Sequence, residues 1–351
     1  MRAITVTPGR PGSARLDQIP EPLPDEGAVL LETIAVGVCG TDREILSGLY
    51  GTAPPGRERL VLGHESLARV LAAPADAALR TGDLAVGIVR RPDPVPCEAC
   101  AVGEWDMCRN GQYTEHGIKE LDGFCRERFR MPASSLVPVD SALGLCGVLL
   151  EPASIVAKAW DQIDRIGARS RWTPRRVLVL GAGPVGLLAA LFGRLRNLDV
   201  HVLDRVTSGV KPELVASLGA SYHSGTVAAA CVNEDVDVVL ECTGAASLVF
   251  DAMRCVASNG IVCLTGVSSG RRTLTVDAAG LNNELVLENN VVFGSVNANR
   301  LHYSQAADAL ARANRGWLER LITRRTALAD WADAYEPRAG DVKTILTFAP
   351  L

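Results

Sequence analysis

The sequence predicts an α/β fold in which a β-rich, barrel-like domain is joined to a doubly wound parallel sheet. Residues 1–150 are rich in Gly and Pro and contain short β-branched runs, a pattern typical of short strands separated by turns. After Pro174, strand-like and helix-like segments alternate, as they do in a parallel sheet with helices on both faces. The chain has 351 residues, enough for two domains of ordinary size.

The elements can be assigned in order along the chain. In the first domain, strands are predicted at 28–31, 67–71 and 84–89, followed by a helix at 151–166. In the second domain, strands are predicted at 177–180, 200–203, 236–241 and 260–264, and helices up to about 195, at 212–218 and at 246–256. The chain is then helical and polar from about Asn297, and it ends in a predicted strand at 343–348. Because this tail is too short for a third domain, we expect residues 297–351 to complete a domain of residues 1–154, with residues 155–296 forming the other.

The composition is that of a soluble globular enzyme, with 48% hydrophobic and 22% charged residues. The formal net charge of −4 gives no reason to expect nucleic acid or an acidic membrane as a partner. The N-terminus lacks the apolar core of a signal peptide, and no uninterrupted apolar run approaches the roughly 20 residues of a spanning helix. We therefore expect a cytosolic protein whose ten cysteines are thiols or metal ligands, not a disulfide framework.

A glycine-rich turn in the second domain predicts a dinucleotide site. Gly181, Gly183 and Gly186 lie between a predicted strand and a predicted helix, which is the setting that gives the common GxGxxG pattern its meaning. Gly181 would permit the tight turn, Gly183 a close approach to the pyrophosphate, and Gly186 close packing of helix on strand. The start of the helix, which includes Pro184 and Val185, would present free N–H groups to the phosphates.

Asp204 ends the next predicted strand, where an acidic side chain would bind the hydroxyls of the adenosine ribose. Because a carboxylate repels a 2′-phosphate, the sequence favours NAD over NADP, although the adjacent Arg205 is suited to accepting a 2′-phosphate. A glycine turn followed by a solvated aspartate is the alternative interpretation. Four further candidate cofactor contacts are Thr243, Gly266, Val267 and Asn297.

Two groups of residues in the first domain predict zinc. Cys39 and the pair His64–Glu65 lie in separate loops, and thiolate, imidazole and carboxylate suit a tetrahedral zinc that keeps one position open for catalysis. Alone, a buried cysteine is usually part of a core, and a histidine beside a glutamate is often on the surface. The prediction of a catalytic zinc therefore depends on the pairing of the two motifs.

A closed structural zinc is predicted from cysteines that are bunched in a Pro-rich, polar segment. Cys97, Cys100 and Cys108 supply three thiolates, whereas such a site needs four ligands. Asp93 is the nearest upstream donor and could substitute, although its oxygen is a harder ligand than sulfur. Whether Asp93 completes the site is left open.

Six short segments carry a family resemblance. They are 38–45 (VCGTDREI), 60–65 (LVLGHE), 113–118 (YTEHGI), 122–124 (DGF), 150–152 (LEP) and 294–297 (GSVN). Together with the nucleotide fold they cover nearly the whole chain in order. The sequence resembles the zinc-containing medium-chain alcohol dehydrogenases, and among them the glucose 1-dehydrogenase branch. The resemblance implies a GroES-like barrel domain, a Rossmann domain, and assembly as a homodimer or homotetramer.

The resemblance also implies a role for individual residues. Cys39 and His64 are similar to ligands of the catalytic zinc, and Glu65 to the carboxylate that binds or backs this metal. Glu151 is similar to the carboxylate that approaches zinc directly or through water. Thr41 resembles the hydroxyl that hydrogen-bonds the alcohol and passes its proton outward. The positions that match sugar contacts are Glu115, Glu151 and Asn297.

Two positions depart from the family pattern. Asp93 and Pro94 stand where relatives carry the first cysteine of the structural zinc lobe. Val89 stands where sugar-binding relatives can carry a polar residue. Because sites that bind hydroxyls reject substrates lacking them, this loss could shift discrimination between sugars, so glucose itself is not assured.

The expected reaction is hydride transfer between a sugar or sugar-like polyol and NAD(P), with zinc as Lewis acid and the Rossmann domain holding the nicotinamide against the barrel. One alternative is a biosynthetic dehydrogenase for a cyclitol, an amino sugar or a nucleoside-derived alcohol. A second is a non-catalytic nucleotide-binding protein of the same fold. This second alternative requires loss of the metal ligands, yet Cys39, His64, Glu65 and Glu151 are all present.

Overall fold

A computed structural model describes residues 1–231, 235–268 and 272–351. Contacts divide the chain into two compact units. The first consists of Met1–Ser154 and Asn297–Leu351, and the second of Ile155–Val296. The C-terminal tail therefore belongs to the first unit.

Strands and helices follow one another along both units. The strands are β1 (Arg2–Val6), β2 (Arg15–Gln18), β3 (Val29–Gly37), β4 (Leu60–Val61), β5 (Glu65–Ala72), β6 (Leu84–Gly87), β7 (Arg90–Arg91), β8 (Thr114–His116), β9 (Glu120–Leu121), β10 (Arg128–Met131), β11 (Leu136–Val139), β12 (Arg176–Leu180), β13 (Asp199–Leu203), β14 (Ser221–His223), β15 (Val238–Glu241), β16 (Ile261–Leu264), β17 (Val291–Gly294), β18 (Ile322–Ala327) and β19 (Lys343–Thr347). The α-helices are α1 (Gly40–Leu46), α2 (Glu98–Ala101), α3 (Leu150–Gly167), α4 (Pro184–Leu195), α5 (Val210–Ser217), α6 (Val227–Cys231), α7 (Ala246–Met253), α8 (Ala278–Leu287), α9 (Arg300–Arg312), α10 (Arg315–Leu321) and α11 (Trp331–Tyr335). Short 3-10 helices occupy Pro24–Glu26, Trp105–Met107, Ala133–Ser135, Ser141–Leu149 and Leu328–Asp330.

The first unit is organised by a sheet of seven strands. β3 lies at its centre and pairs antiparallel with β5, β10 and β19, and the strand order is β11–β6–β5–β3–β19–β18. The C-terminal strand β19 is thus inserted next to a strand from the N-terminal segment. Its position brings Lys343, the first residue of β19, to the end of β3 that precedes Cys39.

A smaller sheet of β7, β8 and β9 carries several of the candidate residues. Arg90 lies opposite Glu115 in the antiparallel β7–β8 pair, and Arg91 lies opposite Thr114. Because successive side chains of a strand point to opposite faces, Arg90 and Glu115 share one face of this sheet, whereas Arg91, Thr114 and His116 share the other.

The second unit confirms the doubly wound parallel sheet. The six strands found in its described residues are all parallel, in the order β14–β13–β12–β15–β16–β17, which is 3-2-1-4-5-6 when counted from β12. Val177, Leu178, Val179 and Leu180 of β12 are fully buried, because a central parallel strand is covered on both faces.

In the described residues, the sequence patterns missed four elements of this unit: β14, α6, α8 and β17. α6 has five residues, too few for a helical periodicity to be recognised. β14 and β17 have only three and four residues, too few for a periodicity to be recognised. α8 buries none of its residues and leaves Val286 and Leu287 exposed, so it lacks the apolar stripe that marks an amphipathic helix.

The expectation for the cysteines is wrong at two positions. Cys231 and Cys255 form a disulfide, with their Cα atoms 5.9 Å apart. α6 and α7 pack against each other and place the two side chains within bonding reach, a contact that the spacing of 24 residues does not reveal. The other eight cysteines are free thiols in the described residues.

One helical stretch bears on the expected absence of a membrane span. Ser141–Gly167, a 3-10 helix continued by α3, is long and apolar enough to cross a membrane by length and composition. Within its most apolar window, 83% is buried inside the protein, as in the core helix of a globular domain.

Candidate active site

The first candidate metal site begins where β3 ends and α1 starts. Cys39 is the N-cap residue of α1, and its backbone N–H donates to Oδ2 of Asp42 at 2.9 Å. The Cys39 Sγ lies 4.0 Å from Oγ1 of Thr41, in the first turn of the helix. The start of α1 therefore positions the thiol and the hydroxyl together.

His64 and Glu65 arrive from the turn between β4 and β5. Gly63 has φ +87°, a left-handed conformation that a side chain would disfavour, and a Cβ there would collide with Cys125 and Val36. The buried His64 directs Nδ1 toward Oδ1 of Asp42, at 3.4 Å. A carboxylate on one imidazole nitrogen fixes the ring and leaves the other nitrogen for a metal.

Cys39, His64 and Glu65 form a cluster that fits a cation. Their ligand atoms lie within 4.8 Å of one another, and His64 and Glu65 are buried. Burial disfavours the charged imidazole, but the Asp42 carboxylate and the Cys39 side chain outweigh it and raise the pKa of His64 well above its usual value. Sulfur, nitrogen and oxygen donors in this combination suit tetrahedral zinc. We call these three residues the catalytic cluster.

Lys343, which no sequence motif predicts as a site residue, also reaches this cluster. Its ammonium pairs with Oε2 of Glu65 and donates to the carbonyl of Val38 at 3.1 Å. Burial disfavours the charge, but Glu65 and then Cys39 counter this and raise the pKa of Lys343. The available signal was a lysine in the otherwise β-branched and apolar strand β19, where a buried charge requires a partner.

Glu151 lies in the first turn of α3 and is buried. It does not belong to the catalytic cluster as the structure has it. Burial raises the pKa of Glu151 to about 7, with His64 opposing this shift and Glu65 adding to it. The charges of the cluster thus act on Glu151, and its approach to zinc, directly or through water, stays a prediction.

Glu115 and Asn297, the other predicted sugar contacts, touch each other. Asn297 Nδ2 donates to Oε1 of Glu115 at 2.7 Å, although the residues are 182 positions apart. The same oxygen accepts hydrogen bonds from Nε and Nη2 of Arg90, at 3.1 and 3.0 Å. Arg90 also stacks over the ring of Tyr113, 3.7 Å from its centroid. Arg90 was missed, because two adjacent arginines in a short segment indicate a solvated turn more often than a buried pair.

The three cysteines predicted to bind the structural zinc lie close together, and Asp93 is not part of this group. The sulfurs of Cys97, Cys100 and Cys108 lie within 4.8 Å of one another. The N–H of Arg109, followed by that of Cys100, lowers the pKa of Cys97 to about 6, and burial raises that of Cys100 to about 11. We call these three residues the lobe cluster. Thiolates suit zinc, so the donor chemistry fits the metal, and the group found among the described residues supplies three of the four ligands that a closed site needs.

Asp93 is buried, and only one of its carboxylate oxygens has a hydrogen-bond partner in the described residues. Its Oδ1 accepts the N–H of Val95 at 2.8 Å, and Oδ2 has no hydrogen-bond partner in the described residues. The Asx turn at Val95 therefore engages one carboxylate oxygen and leaves the other without a partner, and Asp93 as the fourth ligand stays a prediction.

The lobe is tied to the rest of the unit by hydrogen bonds. Arg90 Nη1 donates to the carbonyls of Trp105 and Asp106, at 3.4 and 3.3 Å. Asp106 Oδ1 accepts Nδ2 of Asn299 at 2.8 Å, at the start of α9. One guanidinium thus contacts both the lobe and Glu115.

In the second unit the glycine-rich turn lies between β12 and α4, as the sequence predicts. Gly181 has φ +102°. A Cβ on Gly186 would collide with the carbonyl oxygen of Gly181, so only glycine permits this approach of helix to strand. Gly183 is the N-cap of α4, Pro184 follows as its first residue, and Val185 comes next. A proline suits this position, because its missing N–H has no intrahelical partner to lose.

Asp204 directly follows β13, and its carboxylate hydrogen-bonds the glycine-rich turn. Its Oδ2 accepts the N–H of Ala182 at 2.7 Å and the ammonium of Lys211 at 3.2 Å, and Oδ1 accepts the N–H of Val206 at 3.1 Å. Burial raises its pKa, but these donors outweigh burial, so the pKa of Asp204 lies below its usual value. Arg205 is exposed.

The remaining predicted cofactor residues surround a buried carboxylate that the sequence analysis missed. Glu241 accepts the N–H groups of Thr243, at 2.7 Å, and Gly244. A Cβ on Gly266 would collide with Gly244 and Glu241, and one on Gly244 with the backbone of Val267. The loops after β15 and β16 therefore pack closely through glycines at the carboxyl end of the sheet, where open α/β sheets bind ligands.

Comparisons with known proteins agree with this architecture. The family model described as alcohol dehydrogenase GroES-like domain matches residues 25–141, and that described as glucose dehydrogenase C-terminus matches residues 144–348. The chain is 39% identical over 355 residues to glucose 1-dehydrogenase of Methanocella arvoryzae, covering 99% of each chain. It is 40% identical over 352 residues to glucose 1-dehydrogenase of Thermoproteus tenax, again covering 99% of each.

The structural comparison agrees. Haloferax mediterranei glucose dehydrogenase, solved in complex with NADP, zinc and gluconolactone, superposes with a TM-score of 0.92 at 31% identity over 100% of both chains. The family predicted from the six motifs is thereby confirmed: the chain belongs to the glucose dehydrogenase branch of the medium-chain, zinc-containing alcohol dehydrogenases.

Proposed function

We propose that this chain is a zinc-dependent, NAD(P)-linked sugar dehydrogenase that oxidises the C1 hydroxyl of an aldose to the lactone. The observation that carries the proposal is the catalytic cluster, Cys39, His64 and Glu65, whose donors fit zinc. The Haloferax relative holds zinc, NADP and gluconolactone, which supports the same substrate class here.

Each group has a distinct part in this reaction. When bound, zinc polarises the substrate hydroxyl as a Lewis acid and the nicotinamide accepts hydride. Cys39 and His64 would hold the metal, and Asp42 keeps the His64 ring in place. Thr41, half-buried beside Cys39, would accept the hydroxyl proton and pass it outward.

Glu115 and Asn297 would orient the sugar. The three N–H donors from Arg90 and Asn297 all reach Oε1 of Glu115, and Oε2 makes no hydrogen bond with the described residues. That oxygen is thus available to a sugar hydroxyl. Because Glu115 is buried, a substrate lacking this hydroxyl would leave Oε2 unpaired, so the contact would select for sugars that carry it.

The test is a substrate panel with the zinc-loaded enzyme. We expect NADH or NADPH formation with one or more aldoses and a lactone as product. Turnover restricted to a cyclitol, an amino sugar or a nucleoside-derived alcohol would contradict the aldose assignment but leave the metal chemistry intact. Turnover without metal would contradict the whole proposal.

We also propose that NAD is preferred over NADP, because Asp204 is held as a carboxylate at the end of β13. Replacing Asp204 by Asn keeps its acceptor oxygen for Ala182 and removes the charge that repels a 2′-phosphate. We expect the NADP/NAD ratio of kcat/KM to rise by about tenfold in Asp204→Asn, which corresponds to about 1.4 kcal/mol. An unchanged ratio would contradict the preference. A cytosolic homodimer or homotetramer is part of the same proposal.

A further inference from the structure

The first unit contains a cavity on the reverse face of the small sheet. Its volume is about 460 Å³, and Arg91, Thr114 and His116 line it from β7 and β8. Arg90 and Glu115 lie on the opposite face of the same strands. The cavity is therefore distinct from the group of residues assigned to the sugar.

Four arginines and three carboxylates line this cavity: Arg57, Arg91, Arg126 and Arg130, and Asp25, Glu26 and Asp122. Glu26 and Asp122 are already engaged. Glu26 pairs with Arg126 at 3.1 Å, and Asp122 pairs with Arg57 at 2.7 Å. Asp25 is exposed. The lining thus carries an excess of one positive charge, contributed by Arg91 and Arg130 against a single solvated carboxylate.

Among the arginines of this lining, Arg91 has the fewest partners for its charge. Its guanidinium makes no hydrogen bond or ion pair with the described residues. Burial without a counter-charge lowers the pKa of Arg91 to about 10. Desolvated cations in proteins are normally paired, and a guanidinium is suited to bind two oxygens of one anion side by side.

Further donors in the lining are unused. Arg130 donates Nη1 to the carbonyl of Gly27 at 3.3 Å, and its Nε is buried without a partner in the described residues. The Nε of Arg126 is also buried without such a partner, even though this arginine pairs with Glu26. Two strands, β7 and β10, therefore turn unsatisfied guanidinium groups toward the lining of one cavity.

His116 adds an acceptor to this set of donors. Its Nδ1 lies 2.7 Å from the carbonyl oxygen of Asp122, so Nδ1 carries a proton. Burial, followed by the positive charge of Arg91, lowers the pKa of His116 well below its usual value and keeps the ring neutral. Nε2 is then a lone-pair acceptor, and it is buried with no partner among the residues that the structure describes.

We propose that this cavity binds the phosphate group of a small anion, with Arg91 and Arg130 as its cationic donors and His116 as the acceptor for an O–H group of the same ligand. Inorganic phosphate and a phosphate monoester share this chemistry. The volume exceeds that of a phosphate group, so a phosphorylated metabolite that also has hydroxyl groups would fill more of it.

The test is calorimetric titration of the zinc-loaded enzyme, saturated with NADPH so that nucleotide phosphate sites in the second unit are occupied. Inorganic phosphate and glycerol 3-phosphate are the probes, at an ionic strength held constant with chloride. We expect saturable binding of at least one probe. Tighter binding of glycerol 3-phosphate would identify the organic phosphate as the ligand, and tighter binding of phosphate the free oxyanion.

Variants locate the site. Arg91→Gln should weaken binding at least about tenfold, and Arg91→Lys should weaken it less, because the charge remains but the paired N–H donors are lost. Arg130→Gln, on β10, provides an independent test should Arg91→Gln fail to fold. Arg312→Gln on the surface of α9 is the matched control and should bind like the wild type. No saturable binding of either probe, or wild-type binding by both Arg91→Gln and Arg130→Gln, would overturn the proposal.

Discussion

The two cysteine-containing clusters of the first unit differ in how their donors are supported. The catalytic cluster combines three kinds of donor, and further buried charges hold them: Asp42 contacts His64, and Lys343 contacts Glu65. The lobe cluster consists of three sulfurs that are supported mainly by backbone N–H groups. Mixed donors with fixed second partners suit an open, reactive zinc, whereas thiolates alone suit a zinc that holds a loop.

This comparison predicts that losing a sulfur has different consequences in the two clusters. Cys39→Ser should lower kcat by about a thousandfold or more, because the metal that polarises the hydroxyl is lost, while nucleotide binding stays nearly intact. Cys100→Ser should retain turnover but lower the melting temperature by a few degrees, because structural zinc contributes to folding. Steady-state kinetics, nucleotide titration and thermal melts compare the two variants. Full activity in Cys39→Ser would contradict the catalytic role assigned to the first cluster.

The second prediction concerns the charge behind the catalytic cluster. Asp42→Asn keeps an oxygen that can cap α1 but removes the carboxylate that faces His64. We expect zinc affinity to fall by about 10- to 100-fold, the usual effect of losing a carboxylate behind a ligating histidine. Competition with a chromophoric chelator measures it. Asp25→Asn, at an exposed position in the same unit, is the control, and equal affinities in the two variants would contradict the role of Asp42.

The third prediction concerns Arg90, which links the lobe to Glu115, the carboxylate proposed to bind the sugar. Arg90→Lys should raise KM for the sugar by about tenfold with little change in kcat, because one ammonium cannot donate to Glu115 and to the lobe carbonyls together. Arg90→Met should raise KM further and lower the stability of the protein, because it leaves the buried carboxylate of Glu115 without its charged partner. A fall in kcat with KM unchanged would show that Arg90 does not position Glu115.

The smallest expected effect concerns reactivity within the lobe cluster. In the metal-free protein Cys97 should be a thiolate above about pH 6 and be alkylated faster than Cys100, whose pKa is about 11. The sign follows from the shifts: a lowered pKa keeps Cys97 charged as the pH falls through neutrality, whereas Cys100 stays protonated. Mass spectrometry after iodoacetamide treatment across pH 5–9 measures the two rates. A rate for Cys97 that rises only above pH 8 would contradict the assigned cause.

The sequence predicted the parts of the molecule that local patterns encode. The strand–turn–helix at Gly181 and the motifs around Cys39 and His64 are contiguous segments, so residue order alone indicates their chemistry. Contacts across many residues leave no such local pattern. Lys343 reaches Glu65 only because β19 is inserted beside β3, and Asn297 reaches Glu115 across 182 residues. The Cys231–Cys255 disulfide likewise depends on how α6 and α7 pack.

In the proposed reaction, Cys39 and His64 hold the zinc at which the sugar is oxidised. The most direct measurement is diffraction at the zinc absorption edge from crystals of the enzyme soaked with its sugar. We expect an anomalous peak about 2.3 Å from Cys39 Sγ and about 2.0 Å from His64 Nε2, with a sugar oxygen beside it. An active enzyme with an anomalous peak at the lobe cluster alone, and none at Cys39, would contradict it.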